Sequence, residues 1–141
     1  MILGSLERLR YVSSSAVRTS VLLRLPEFVM PHSGPPRRVL FICRLNRHRS
    51  ATAERIFCKR RDLDVRSAGT EEDAMVRVNA RMLEWAEVIF TMDSGQRESL
   101  ERMFPSHPAL QRLTCLDIQD VFTFLDPQLV TLLEERVKQH L

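Results

Sequence analysis

From Val39 onward, short apolar runs rich in strand-forming residues alternate with segments whose apolar residues recur at helical spacing. No other feature constrains the fold as tightly. Residues 39–42 (Val-Leu-Phe-Ile) read as a strand buried on both faces. A helix over 50–61 follows, with Ala53, Ile56 and Phe57 on one side, then a second strand over 64–67 that ends at Gly69. Residues 79–86 place Ala80, Leu83 and Ala86 at helical spacing, and 88–92 form a third strand. A helix over 94–104 is closed by Pro105, and a fourth strand covers 113–118. Asp126-Pro127 supplies an N-cap and a first-turn proline for a last helix, whose apolar stripe is Leu129, Leu132, Leu133, Val137 and Leu141. The order βαβαβαβα implies a parallel sheet with helices on both faces. There is no internal repeat.

The chain has 141 residues, enough for one domain with a real core. With 44% hydrophobic and 28% charged residues, wholesale disorder is excluded. The apolar runs of four or five residues fall far short of the roughly 20 a spanning helix needs. Three cysteines, with no C-x-x-C, argue against a disulfide scaffold or a zinc ribbon and favour a reducing compartment, the cytoplasm. Charge is unevenly placed. Residues 1–38 hold six arginines against Glu7 and Glu27, whereas 39–141 are nearly balanced, with 15 basic and 16 acidic residues. The pI of 9.1 therefore belongs to the N-terminal segment. A nucleic-acid-binding domain would spread basic charge over its fold, and this one does not. Residues 1–37 are Arg-rich, interrupted by Ser13-Ser14-Ser15 and Pro26, and end in a Pro/Gly stretch. They read as a poorly structured basic extension. A leader upstream of Met30, an organelle signal and an accessory arm all fit it, with the α/β domain occupying 38–141.

The chemistry concentrates in Cys43-Arg44-Leu45-Asn46-Arg47-His48-Arg49-Ser50, which joins the first strand to the first helix. A parallel α/β sheet places ligands at the C-terminal ends of its strands. Here free N–H groups and the positive end of a helix converge on a cysteine, which makes an anion site and favours the thiolate nucleophile. Arg49 can hold two oxygens of a phosphate in its planar fork. Ser50 can donate its hydroxyl to the thiolate, and Asn46 suits a left-handed backbone in mid-loop. For the loop to open at a crevice, the strand order should be 2-1-3-4, a three-layer flavodoxin-like arrangement with its switch point between strands one and three.

C-x5-R-S between a strand and a helix is the pattern of cysteine-dependent phosphatases. The chain resembles the low-molecular-weight protein tyrosine phosphatase family, particularly its divergent small bacterial-type branch. The likeness spans residue 39 to the C-terminus through four landmarks in order: V-L-F-I-C-R-L-N-R-H-R-S-A-T-A-E (39–54), V-R-S-A-G-T (65–70), E-W-A-E-V-I-F-T-M-D (84–93) and L-D-I-Q-D-V-F-T-F-L-D-P-Q-L-V (116–130). The resemblance implies hydrolysis of a phosphomonoester, with Cys43 as nucleophile, Arg49 as phosphate ligand and a general acid after the fourth strand. Three aspartates compete for that last role. Asp120 matches the family's position, Asp117 lies in the strand end, and Asp126 is explained as a helix cap. Phe122 matches an aromatic lining the substrate cleft, and with Phe124 it would flank a phosphotyrosine ring. The chain departs from the family at Leu45 (commonly glycine), His48 (a second loop cysteine in some relatives) and Val121 (often proline).

The expected partners are phosphorylated proteins or small phosphomonoesters bound by Arg44, Leu45, Asn46, Arg47, His48, Ser50 and Phe122. No metal, cofactor, nucleic acid or membrane is called for, and the chain should be a monomer. The alternative from another class is a phosphate-binding module without turnover, motivated by Leu45. A serine phosphatase of the RNA polymerase II C-terminal domain shares a similar loop but needs insertions this chain lacks. An arsenate reductase needs shuttle cysteines, absent from 70–92. Cys58 and Cys115 read as core thiols and Trp85 as packing against the sheet. His32, His107 and His140 are isolated, without metal-ligand spacing, and Glu71-Glu72-Asp73 reads as a solvated turn.

Overall fold

The computed structural model describes residues 34–141; of the N-terminal extension, all but its last four residues, His32 included, lie outside them. Strand β1 (Arg37–Cys43) is followed by helix α1 (Arg49–Phe57), strand β2 (Leu63–Gly69) and helix α2 (Ala80–Trp85). Strand β3 (Val88–Thr91), helix α3 (Ser94–Met103), a 3-10 turn (Pro108–Arg112), strand β4 (Leu113–Cys115) and helix α4 (Pro127–Lys138) complete it. All pairings are parallel, and the sheet order is β2-β1-β3-β4. The doubly wound α/β architecture expected from the alternation is therefore the one found. The loop after β1 opens where the connections leave in opposite directions, toward β2 on one side and β3 on the other.

The continuous apolar run of β1 is explained by a core on each face. Val39, Phe41 and Cys43 turn to α1 and α4, packing with Ala53, Phe57, Leu129, Leu133 and Val137. Leu40 and Ile42 turn to the other layer, with Leu83, Ile89 and Leu100. A strand in this position cannot alternate with polar residues, because neither face meets water.

Among the described residues, three of the four α-helices are capped by a side chain. Asn79 accepts from the Met82 N–H (2.9 Å), Asp93 forms a capping box with Gln96, and Asp126 accepts from the Gln128 N–H (2.9 Å) ahead of Pro127. Helix α1 is the exception. Its N-cap, His48, offers no side-chain hydrogen bond, so its first N–H groups stay open toward the loop.

Three expectations are corrected. The fourth strand stops at Cys115 instead of running to Ile118, because Asp117 adopts a left-handed conformation (φ 55°) that breaks the extended run. The chain stays tied to the β3 end only by Leu116 N–H to Thr91 O (2.8 Å) and Ile118 N–H to Met92 O (2.7 Å). Helix α1 ends at Phe57, short of Arg61. Cys58 and Cys115 are exposed, not core thiols: Cys58 follows the last turn of α1, and Cys115 closes the edge strand. Trp85 is half-buried against the second core, with the Arg66 guanidinium 4.0 Å over its ring.

Candidate active site

The loop after β1 is held by its carbonyls. Those of Cys43, Arg44 and Leu45 accept hydrogen bonds from the N–H groups of Thr70 (3.1 Å), Glu71 (3.1 Å) and Met75 (3.0 Å), in the segment after β2. In a planar trans peptide the N–H points opposite the C=O. Tying three carbonyls to that segment therefore turns the following N–H groups, of Arg44, Leu45 and Asn46, the other way, toward the cysteine. The Asn46 N–H indeed lies 3.2 Å from the Cys43 sulfur. Gly69 is what lets the two segments meet. A Cβ there would stand 2.6 Å from the Arg44 carbonyl oxygen and 3.0 Å from the Asn46 nitrogen.

A polar relay runs under the cysteine. Asn46, at φ 59° as its residue type suggested, donates both Nδ2 hydrogens, to Ser50 Oγ (2.8 Å) and to Ser67 Oγ (2.8 Å). Ser67 in turn donates to Glu54 Oε1 (3.1 Å). A carboxylate can only accept, so the direction from Asn46 through Ser67 to Glu54 is set. Ser50 Oγ receives from Asn46, donates to the Ala68 carbonyl at 3.3 Å and lies 2.9 Å from Cys43 Sγ, to which it can donate when the sulfur is a thiolate. Cys43 is 3% exposed, and its sulfur accepts from the Asn46 N–H and lies beside the Ser50 hydroxyl.

Arg49 is fully enclosed, 2% exposed, despite its charge. Its Nη1 donates to Asp93 Oδ2 (2.6 Å) and to the Ile118 carbonyl (2.7 Å), which uses both hydrogens of that nitrogen and fixes the guanidinium plane. The Nε–Nη2 edge remains for an anion, and Asp120 Oδ1 stands 3.6 Å from Nε. Burial pushes the Asp93 carboxyl up. The hydrogen bonds from Arg49 and Gln96, the Arg49 charge and the Gly95 N–H outweigh it and hold the group below the ordinary aspartate value.

A tight notch of about 20 Å3 opens over the cysteine, lined by Cys43, Arg44, Leu45, Arg47, His48, Arg49 and Asp120. Among the three competing aspartates, only Asp120 lines it. Asp126 is occupied as the cap of α4, and Asp117 turns to a separate cavity of about 300 Å3. Arg44, Arg47 and His48 are exposed at the mouth, and Leu45 is half-buried. Phe122 is not brought to the notch. It packs against the core on the α4 side and lines the Asp117 cavity with Leu132. Phe124, 44% exposed, lines neither. Sequence reasoning missed Asp93, Glu54 and Ser67. Asp93 carried a signal, being an acid in the strand-to-helix turn beside the switch point. The other two carried none.

No family model matches the chain, and no curated protein does. Solved structures do. The tyrosine phosphatase Wzb from Escherichia coli K30, in complex with phosphate, superposes with a TM-score of 0.60 at 19% identity, over 74% of this chain and 96% of that one. YwlE arginine phosphatase from Geobacillus stearothermophilus gives 0.55 at 20% identity, over 74% and 92%. A YwlE mutant with a phosphorylated active-site serine gives 0.54 at 18%, over 72% and 94%. At such identities the likeness is one of fold: the chain has the α/β fold of the low-molecular-weight tyrosine and arginine phosphatases.

Two outcomes are expected from this geometry. Gly69→Ala should cost about 1–3 kcal/mol in urea unfolding, as overpacking does, and weaken phosphate binding by displacing the loop. Because the Asp93 carboxyl sits below the ordinary value of 3.8, its contribution to stability is present above that pH and lost as pH falls below it. Acid unfolding followed by circular dichroism should be shallower in Asp93→Asn, which has no such proton to take up.

Proposed function

We propose that this chain is a cysteine-dependent phosphomonoester hydrolase acting through a phosphocysteine intermediate. The observation that carries the reading is the convergence on one notch of the Cys43 sulfur, inward-facing loop N–H groups, the Arg49 edge and Asp120. The Cys43 thiolate attacks phosphorus, forming the S–P bond as the P–O bond to the leaving group breaks. Asp120 gives its proton to the leaving oxygen. The loop N–H groups, the open end of α1 and Arg49 stabilise the charge on the three equatorial oxygens. In the second step water attacks phosphorus, Asp120 takes its proton, and the S–P bond breaks to return the thiolate. A structural neighbour, a YwlE arginine phosphatase mutant, has a phosphorylated active-site serine, which supports a covalent phosphoryl intermediate on this fold. The chemistry needs Cys43 reduced, which fits a cytoplasmic setting, and asks for no metal. Phosphotyrosine is the substrate the resemblance implies, but neither Phe122 nor Phe124 lines the notch to stack on its ring.

The nucleophile is tested with p-nitrophenyl phosphate in EDTA. Cys43→Ser should abolish hydrolysis and keep vanadate binding; a wild type that binds vanadate without turnover would make the chain a binding module instead. Vanadate should also protect Cys43, and not the exposed Cys58 and Cys115, from alkylation by iodoacetate, read by peptide mass spectrometry.

Asp120→Ala should slow hydrolysis of an alkyl phosphate by roughly 10²–10⁴-fold, and that of a nitrophenyl phosphate less, since a nitrophenolate leaves without a proton. Asp126→Ala should instead cost about 1 kcal/mol of stability as a lost N-cap, with turnover kept.

A further inference from the structure

Beside the notch lies a cleft of about 370 Å3 that shares Arg44, Arg49 and Asp120 with it. A phosphate over Cys43 has its leaving oxygen at Asp120, on the boundary between the two cavities, so the rest of the substrate enters the cleft. Its further walls are Thr70 and Glu71 from the segment after β2, and Gln96, Glu98, Ser99 and Arg102 from α3. No aromatic or aliphatic side chain lines it.

We propose, resting on the hydrolase reading above, that this cleft is the leaving-group site and selects polar aliphatic phosphomonoesters over aryl ones. Among the described residues, the side chains of Arg44, Glu71 and Glu98 make no hydrogen bond or ion pair, and Arg102 makes only one long bond, to Ser99 (3.3 Å). An aromatic ring placed there would strip water from these groups and return no hydrogen bond. A hydroxylated or zwitterionic aliphatic group can donate to Glu71 and Glu98 and accept from Arg44, Arg102 and Ser99. Outside Asp120 and the Arg49–Asp93 ion pair the cleft carries two cations, Arg44 and Arg102, and two anions, Glu71 and Glu98, so it favours a leaving group that is polar without large net charge. The elements match this use: Glu71 and Arg44 are joined through their backbones, and α3 is anchored to Arg49 by Asp93, so the walls stand in register with the notch.

The test is kcat/KM of the full chain, in EDTA, for a hexose 6-phosphate, phosphoserine and phosphotyrosine. Both aliphatic substrates should exceed phosphotyrosine by about tenfold or more, although an alkoxide is the poorer leaving group. The double variant Glu98→Ala/Arg102→Ala, at two exposed positions of α3, should reduce that ratio by about tenfold. Equal or better hydrolysis of phosphotyrosine by the wild type would overturn the inference, as would a ratio unmoved in the variant. If no ester is turned over, the hydrolase reading itself fails, and this one with it.

Discussion

A guanidinium with 2% exposure cannot sit in a protein interior unpartnered, and the residues that answer Arg49 organise the site. Asp93 comes from the end of β3 and also caps α3; the Ile118 carbonyl comes from the irregular stretch after β4. One buried charge thus draws two neighbouring strand ends, and the helix between them, to the edge of the cysteine loop. Its Nη1 is spent on structure and its other edge is left for chemistry. An isolated ion pair on the surface would organise nothing, because water would compete for both partners.

The loop itself is ordered from outside. Its carbonyls are held by the segment after β2, whose approach depends on the missing side chain of Gly69. The relay from Glu54 through Ser67 and Asn46 to Ser50 then holds a hydroxyl beside the sulfur. Both devices fix polar groups in place before any ligand arrives, which is how preorganised sites avoid reorganisation during reaction.

Much of this could be read in the residues alone. The apolar runs at 39–42 and 88–92 are buried on both faces and announce a covered parallel sheet. The C-x5-R-S spacing, the left-handed Asn46 and the Asp126-Pro127 cap are local signals, and each stands where its chemistry put it. What failed was long-range. Cys58 and Cys115 were misjudged because an apolar residue type does not say whether it lies past a helix end or on a sheet edge. The path after β4 includes positive φ angles at Asp117 and Leu125, which no residue pattern signals, and along it Phe122 packs on the core. Glu54 and Ser67, 13 residues apart, meet only through the packing of α1 on β2.

Helix α1 remains the one helix without a side-chain cap among the described residues, and this has a thermodynamic corollary. A missing cap typically leaves about 1 kcal/mol of helix stability unrealised. An oxyanion over the loop would complete that end, so ligand and fold are linked: any ion that binds there raises the melting temperature in proportion to the logarithm of its concentration. The stability of the unliganded chain is then a property of its buffer as much as of its sequence, and phosphate and chloride solutions of equal ionic strength would give two different proteins on a calorimeter.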